Sequence, residues 1–190
     1  MFITTRFIGM RKDGMNYLFL LLTEDYIESH RRMTEDLEPL LRKFARDLGE
    51  TGALVRPFRG DEEVTKQDIL FKDWKEKEKR RLEQTPGILV IDVDFDEFSP
   101  RSNHWFHISL RDAMSQYGDV SVFELQELLS TLAESCRRGE NIFDLTDEIA
   151  RRKAMGELYD SFELKPGMFG FSFDIKKGIE FFRSMLRGRH

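Results

Sequence analysis

Apolar positions along the chain follow two rhythms: short runs that read as strands and longer stripes at helical spacing. Residues 2–9 (Phe-Ile-Thr-Thr-Arg-Phe-Ile-Gly) are rich in β-branched and aromatic side chains, and they stop at Arg11-Lys12-Asp13-Gly14, where Asp-Gly signals a turn. Residues 15–22 then form a nearly continuous apolar run, the pattern of a strand covered on both faces. The pair predicts an N-terminal β-hairpin or a split pair of strands. Ala53-Leu54-Val55-Arg56 reads as a further strand, ended by Pro57 and Gly60. Residues 88–95 (Ile-Leu-Val-Ile-Asp-Val-Asp-Phe) make the clearest strand, and residues 104–109 supply its partner after a connector at 96–103.

Helical stripes separate these runs. A helical region extends from about Glu24 to Leu48, in which Leu37, Leu40, Leu41, Phe44 and Leu48 recur on one face before Gly49 stops it. Pro39 would cost about 3 kcal/mol in a helix interior, so the spacing predicts a new helix from Asp36 with Pro39 in its first turn. Residues 63–84 predict one charged helix carrying Ile69, Leu70, Trp74 and Leu82, with Asp73/Lys77 and Glu76/Arg80 four apart. Ser121-Val122-Phe123-Glu124 has the form of a capping box and opens the stripe Leu125, Leu128, Leu129, Leu132, Cys136, which Gly139 closes. Beyond it the pattern predicts a helix over 143–160 with a Glu148/Arg152 pair, a short strand through Phe169, Phe171 and Phe173, and a last helix after Asp174.

From residue 16 to 137 the order is β-α-β-α-β-β-α, which places the chain in the α/β class with a mixed β-sheet flanked by helices. That order, with a proline just before its third strand at Thr85-Pro86-Gly87-Ile88, resembles the thioredoxin-like fold; a doubly wound open sheet is the alternative. Where thioredoxin-like enzymes carry Cys-x-x-Cys this chain has Thr23-Glu24-Asp25-Tyr26, so the resemblance implies a binding or scaffolding version without redox chemistry. Two parts are expected: an α/β core domain over 1–139, and a C-terminal helical, Phe-rich extension over 140–190 packed on it.

Composition narrows the function classes. With 190 residues, 40% hydrophobic and 17 Phe, the chain has enough apolar material for a core. A net charge of -5 and a pI near 5.5 speak against a nucleic-acid footprint, and the basic stretch from Lys72 to Arg81 is interrupted by Asp73, Glu76 and Glu78. Cys136 is the only cysteine, which removes intrachain disulfides and thiolate zinc sites. The longest apolar run is the six residues 17–22, where a membrane span needs roughly 20. With no secretory signal in the opening residues, the cytoplasm is the expected compartment.

The acidic run Asp92-Val93-Asp94-Phe95-Asp96-Glu97 is the leading chemical candidate. On an extended strand Asp92, Asp94 and Asp96 share one face, and converging carboxylates suit Mg²⁺, the one cofactor these residues point to. Asp-x-Asp after a strand resembles the haloacid dehalogenase type of phosphohydrolase, but no Thr follows at that type's spacing. His104 and His107 are the candidate acid/base residues; three apart on a strand, they point to opposite faces, and either one can meet an Asp across the hairpin. Phe169, Phe171 and Phe173 are the candidate partner-binding residues, since so aromatic a segment must dock on the core, a second copy or a partner. No phosphate loop or Gly-x-Ser-x-Gly elbow exists. The reading that follows is a non-enzymatic protein-interaction or regulatory module, with a protein partner or homo-oligomer and neither nucleic acid nor membrane. The alternative is a Mg²⁺-dependent phosphoryl-transfer or phosphodiester enzyme centred on Asp92 and Asp94, with His104 or His107 as general acid/base.

Overall fold

In the computed structural model, which describes residues 2–4, 14–24, 27–83, 86–110, 122–144 and 170–174, ten elements follow in order: β1 (Phe2–Thr4), β2 (Tyr17–Leu22), α1 (Glu28–Asp47), β3 (Gly52–Pro57), α2 (Glu62–Leu70), α3 (Glu76–Glu83), β4 (Gly87–Ile91), β5 (Trp105–Ser109), α4 (Val122–Arg137) and β6 (Gly170–Asp174). The strands form one mixed sheet in the order β1-β3-β2-β4-β5-β6. Pairs β1/β3, β2/β3 and β5/β6 are parallel, whereas β2/β4 and β4/β5 are antiparallel.

Alternation along the strands divides the core in two. Tyr17, Phe19 and Leu21 of β2 face α1 and α4 together with Leu54, Ile88, Val90, Phe106 and Ile108. Leu18, Leu20 and Leu22 face the other way, with Leu89, Ile91 and Trp105, toward Ile69 and Leu70 of α2, Trp74, and Leu82 of α3. Helices therefore cover both faces, which is why β2 is apolar at all six positions. Leu37, Leu41, Phe44 and Leu48 are the buried stripe of the first helix, and Phe44 meets Phe19 edge-on at 5.0 Å.

Three expectations need correcting. The N-terminal strands are the split pair and not the hairpin: β3 lies between β1 and β2, with Phe2 opposite Val55. Both edges of β2 are already taken, by β3 and by β4.

The first helix does not restart at Asp36. It runs unbroken from Glu28 with Pro39 inside it, and the ring sits on the exposed side. Burial of Leu37, Leu41, Phe44 and Leu48, at roughly 1.5–3 kcal/mol each, outweighs the one backbone bond that proline removes.

The charged helix divides into α2 and α3 because Trp74 turns inward. Its indole N–H donates to the Ile69 carbonyl at 2.6 Å, and its ring packs edge-on against Trp105 at 4.8 Å. Asp73 consequently lies outside the helix and pairs with Arg101. Glu76 and Arg80 do pair as their spacing predicts. The predicted helices over 143–160 and after Asp174, with the Glu148/Arg152 pair, lie outside the described residues.

Candidate functional site

Strand direction determines where each candidate residue falls. The last strands to join the centre, β4 and β5, are antiparallel neighbours, and β4 also opposes β2, so Ile91 sits beside Leu18. The acidic run after β4 therefore emerges at the edge where β2 and β3 begin. The carboxyl ends of β2 and β3, the usual ligand edge of an α/β sheet, lie at the opposite side.

At the first edge, β4 ends at Ile91 and the chain bends, so the even alternation expected of Asp92, Asp94 and Asp96 stops before it starts. Phe95 and Phe98 are buried, and the turn is held by Glu97 N–H to Asp94 O (3.1 Å) and Phe98 N–H to Phe95 O (3.3 Å). Asp94 accepts the Phe95 amide at 2.8 Å, which ties its carboxylate to its own turn. Asp96 is exposed. Asp92 alone meets a predicted partner: its Oδ2 lies 3.3 Å from His104 Nδ1, across the β4–β5 connection. The His104 ring stacks on Phe143 at 5.6 Å with 29° between the planes.

Tyr17 roofs this corner. Its hydroxyl donates to the Glu140 carbonyl at 3.3 Å and accepts the Ile142 amide at 3.2 Å. Burial pushes its pKa up, against the lowering effect of the Ile142 hydrogen bond, and nearby negative groups including Asp92 add to the rise. A carboxylate that orients an imidazole is half of an acid–base device. Among the described residues no group of three His, Cys, Asp or Glu is placed to hold a metal ion.

His107 points to the other face from His104, as its spacing predicts: Phe106 and Ile108 lie in the α1/α4 core, while His107 opposes Leu89 on the α2/α3 side. It is buried, and desolvation, helped by Arg81, lowers its pKa to about 4. Its ring is thus neutral at physiological pH. Cys136 is also buried, and desolvation raises its thiol to about 12, which leaves no thiolate for nucleophilic work.

At the carboxyl edge of β2 stands a constellation that sequence reasoning missed. Lys66 of α2 forms a buried ion pair with Glu24, two residues past the end of β2, and its Nζ also reaches the Glu83 carbonyl at the end of α3 at 3.4 Å. The signal was in the spacing. Residues 62, 65, 66, 69 and 70 form the buried stripe of α2, so Glu62, Thr65 and Lys66 occupy core positions one and two turns before Ile69 and Leu70. Glu24 likewise continues the register of Leu20 and Leu22. A cation at a helix carboxyl terminus and paired with a carboxylate satisfies both charges, and it ties three elements together.

Of the candidate partner residues, Phe171 and Phe173 lie on β6, in register with Phe106 and Ile108 of β5. Phe169 lies outside the described residues. No helix among the described residues is long and apolar enough to cross a membrane. No protein-family model matches the chain, and searches of the curated proteins and of the solved structures find no significant match either. The fold defines an α/β protein with a mixed sheet covered by helices on both faces.

Proposed function

We propose that this chain is a non-enzymatic protein-interaction or regulatory module of the cytoplasm, built on a thioredoxin-like arrangement. One observation carries the reading: Val64 and Phe71, seven residues apart on the side of α2 opposite its buried stripe, are 44% and 82% exposed. On a helix, seven residues bring two side chains back to one face. Phe58, in the turn before α2, is 56% exposed as well. This helix turns Glu62 and Lys66 inward beside Ile69 and Leu70 and leaves Val64 and Phe71 outward, and large apolar side chains left exposed on one helix face are what partner surfaces use.

The thioredoxin-like reading is supported by the central order β3-β2-β4-β5, with β2/β3 parallel and the next two pairs antiparallel, and by the buried Pro86 immediately before β4. With Thr23-Glu24 after β2 and the sole thiol locked in the core, the interaction reading needs no redox step. The partner is a protein or a second copy of the chain.

The test is site-specific photo-crosslinking in cells with a photoreactive phenylalanine analogue at position 71, and at position 123, an exposed Phe on α4, as control. The expected result is a discrete adduct from position 71 that Val64→Ser abolishes. An absence of any adduct specific to position 71 overturns the proposal.

A further inference from the structure

We infer that a cleft between the first half of α1 and the end of β3 binds a small dianionic phosphoryl group. The cleft has a volume of about 230 Å³ and is lined by Arg31, Thr34, Glu35, Glu38, Arg56 and Arg59. It lies at the carboxyl end of β3, whose last residues are Arg56 and Pro57, at the edge of the sheet where α/β proteins place ligands. This site is separate from the exposed apolar face of α2, and neither reading depends on the other.

Charge accounting favours an anion. Three guanidinium groups, from α1, from β3 and from the turn that follows β3, line the space against two carboxylates, Glu35 and Glu38, so the lining is net positive by a single charge. Glu38 is already committed twice: it accepts Arg56 Nη1 at 2.7 Å and Arg42 Nε at 2.8 Å, so its charge is more than matched. That bond also holds the partly buried Arg56 in place. Arg31 is oriented by Glu28, which accepts both its Nε and its Nη2. Arg59 has no hydrogen bond or ion pair among the described residues. The wall thus holds two pre-oriented guanidinium groups and a third with its full donor fork available. A guanidinium fork matches the spacing of phosphoryl oxygens and keeps its charge at every physiological pH.

The turn that carries Arg59 is itself fixed. Gly60 has a φ of +96°, a left-handed conformation that suits glycine, and its amide donates to the buried Glu62 at 2.8 Å. The Asp61 amide donates to the Phe58 carbonyl at 2.9 Å. The backbone under Arg59 is therefore set before any ligand arrives, and only the side chain has to be ordered. The size limits the ligand: sites for drug-sized molecules run to roughly 300–1,000 Å³, so this space takes a phosphoryl group with at most a small substituent.

The experiment is calorimetric titration of inorganic phosphate, and separately of phenyl phosphate, into the full chain at constant ionic strength. Saturable binding of either probe is expected, weakened about tenfold or more in Arg59→Ala and unchanged in Arg138→Ala, whose guanidinium pairs with Glu134 at the end of α4. Binding of phenyl phosphate alone assigns the site to phosphomonoesters. Binding of both assigns it to the free ion as well. The inference is overturned if neither probe saturates, or if Arg59→Ala binds as well as the wild type or no worse than Arg138→Ala.

Discussion

The imidazole of His107, on β5, fills the space above Gly87, on β4, that any larger residue there would need. A methyl group at residue 87 would overlap His107 Nε2 and come within 2.9 Å of the Ile108 carbonyl oxygen. Gly87 opens β4 beside Leu22, so this contact joins two neighbouring strand pairs at the carboxyl edge of β2.

Gly87→Ala is accordingly expected to destabilise the fold by about 1–3 kcal/mol, since the buried His107 ring or the backbone at Ile108 must shift to admit the methyl group. Combining it with His107→Ala relieves the ring overlap, so the double variant loses less stability than the two single variants together. Urea denaturation of all four proteins measures this coupling, and strict additivity would refute the overlap.

Acid sensitivity follows from the same ring. Folding lowers the His107 pKa from 6.5 to about 4, chiefly by desolvation. Between those values the unfolded chain takes up a proton that the folded chain refuses. Stability is therefore complete above about pH 6.5 and declines as pH falls toward 4, by an amount on the order of 3 kcal/mol. In His107→Leu, which has no proton to gain, this part of the slope should disappear. Unfolding free energies across the window, compared between the two proteins, decide the matter.

Breaking the Lys66–Glu24 pair from one side leaves a carboxylate or an ammonium inside the protein without its counter-charge. Lys66→Met alone and Glu24→Leu alone are each expected to cost about 3–5 kcal/mol, and the double variant less than either. Equal costs for the double and the sum of the singles would mean that the pair is not coupled.

Pro39 is exposed inside α1 and removes one helix bond, so Pro39→Ala should stabilise the protein. Restoring that bond is worth up to about 3 kcal/mol, less roughly 0.4–1 kcal/mol for the freer unfolded chain. A melting temperature raised by several degrees is the expected readout. An unchanged or lower value would show that the helix is already adapted to its proline.

How much of this was legible in the residues depends on whether a feature is periodic. The apolar rhythm identifies β2, β3, β4, β5 and the buried stripes of α1 and α4, because alternation and helical spacing are local properties. It does not report strand direction. Once β4 runs against β2, the acidic run at 92–97 leaves by the edge opposite the carboxyl ends of β2 and β3, and of the anticipated contacts only Asp92 with His104 is realised there. The division between α2 and α3 turns on Trp74 finding Trp105, thirty-one positions away, which no window of sequence contains. Lys66 was visible as a polar residue on an apolar stripe, yet a lone lysine among charged neighbours reads as a solvated face until its partner is seen. The arginine cleft has no local signature, for Arg31 and Arg59 come together only through the packing of α1 on β3.

Tyr17 spans 125 positions to reach Ile142, and β5 waits for β6, which begins at Gly170. During synthesis, then, the chain is finished out of order with its own sheet. When β2 through β5 have emerged, the outer edge of β5 has no neighbouring strand until another sixty-odd residues are made, several seconds at roughly 5–20 residues per second. An open edge is a template for pairing with other chains. The nascent protein is thus most exposed to misassociation late in translation, and truncation before Gly170 would make that brief condition permanent.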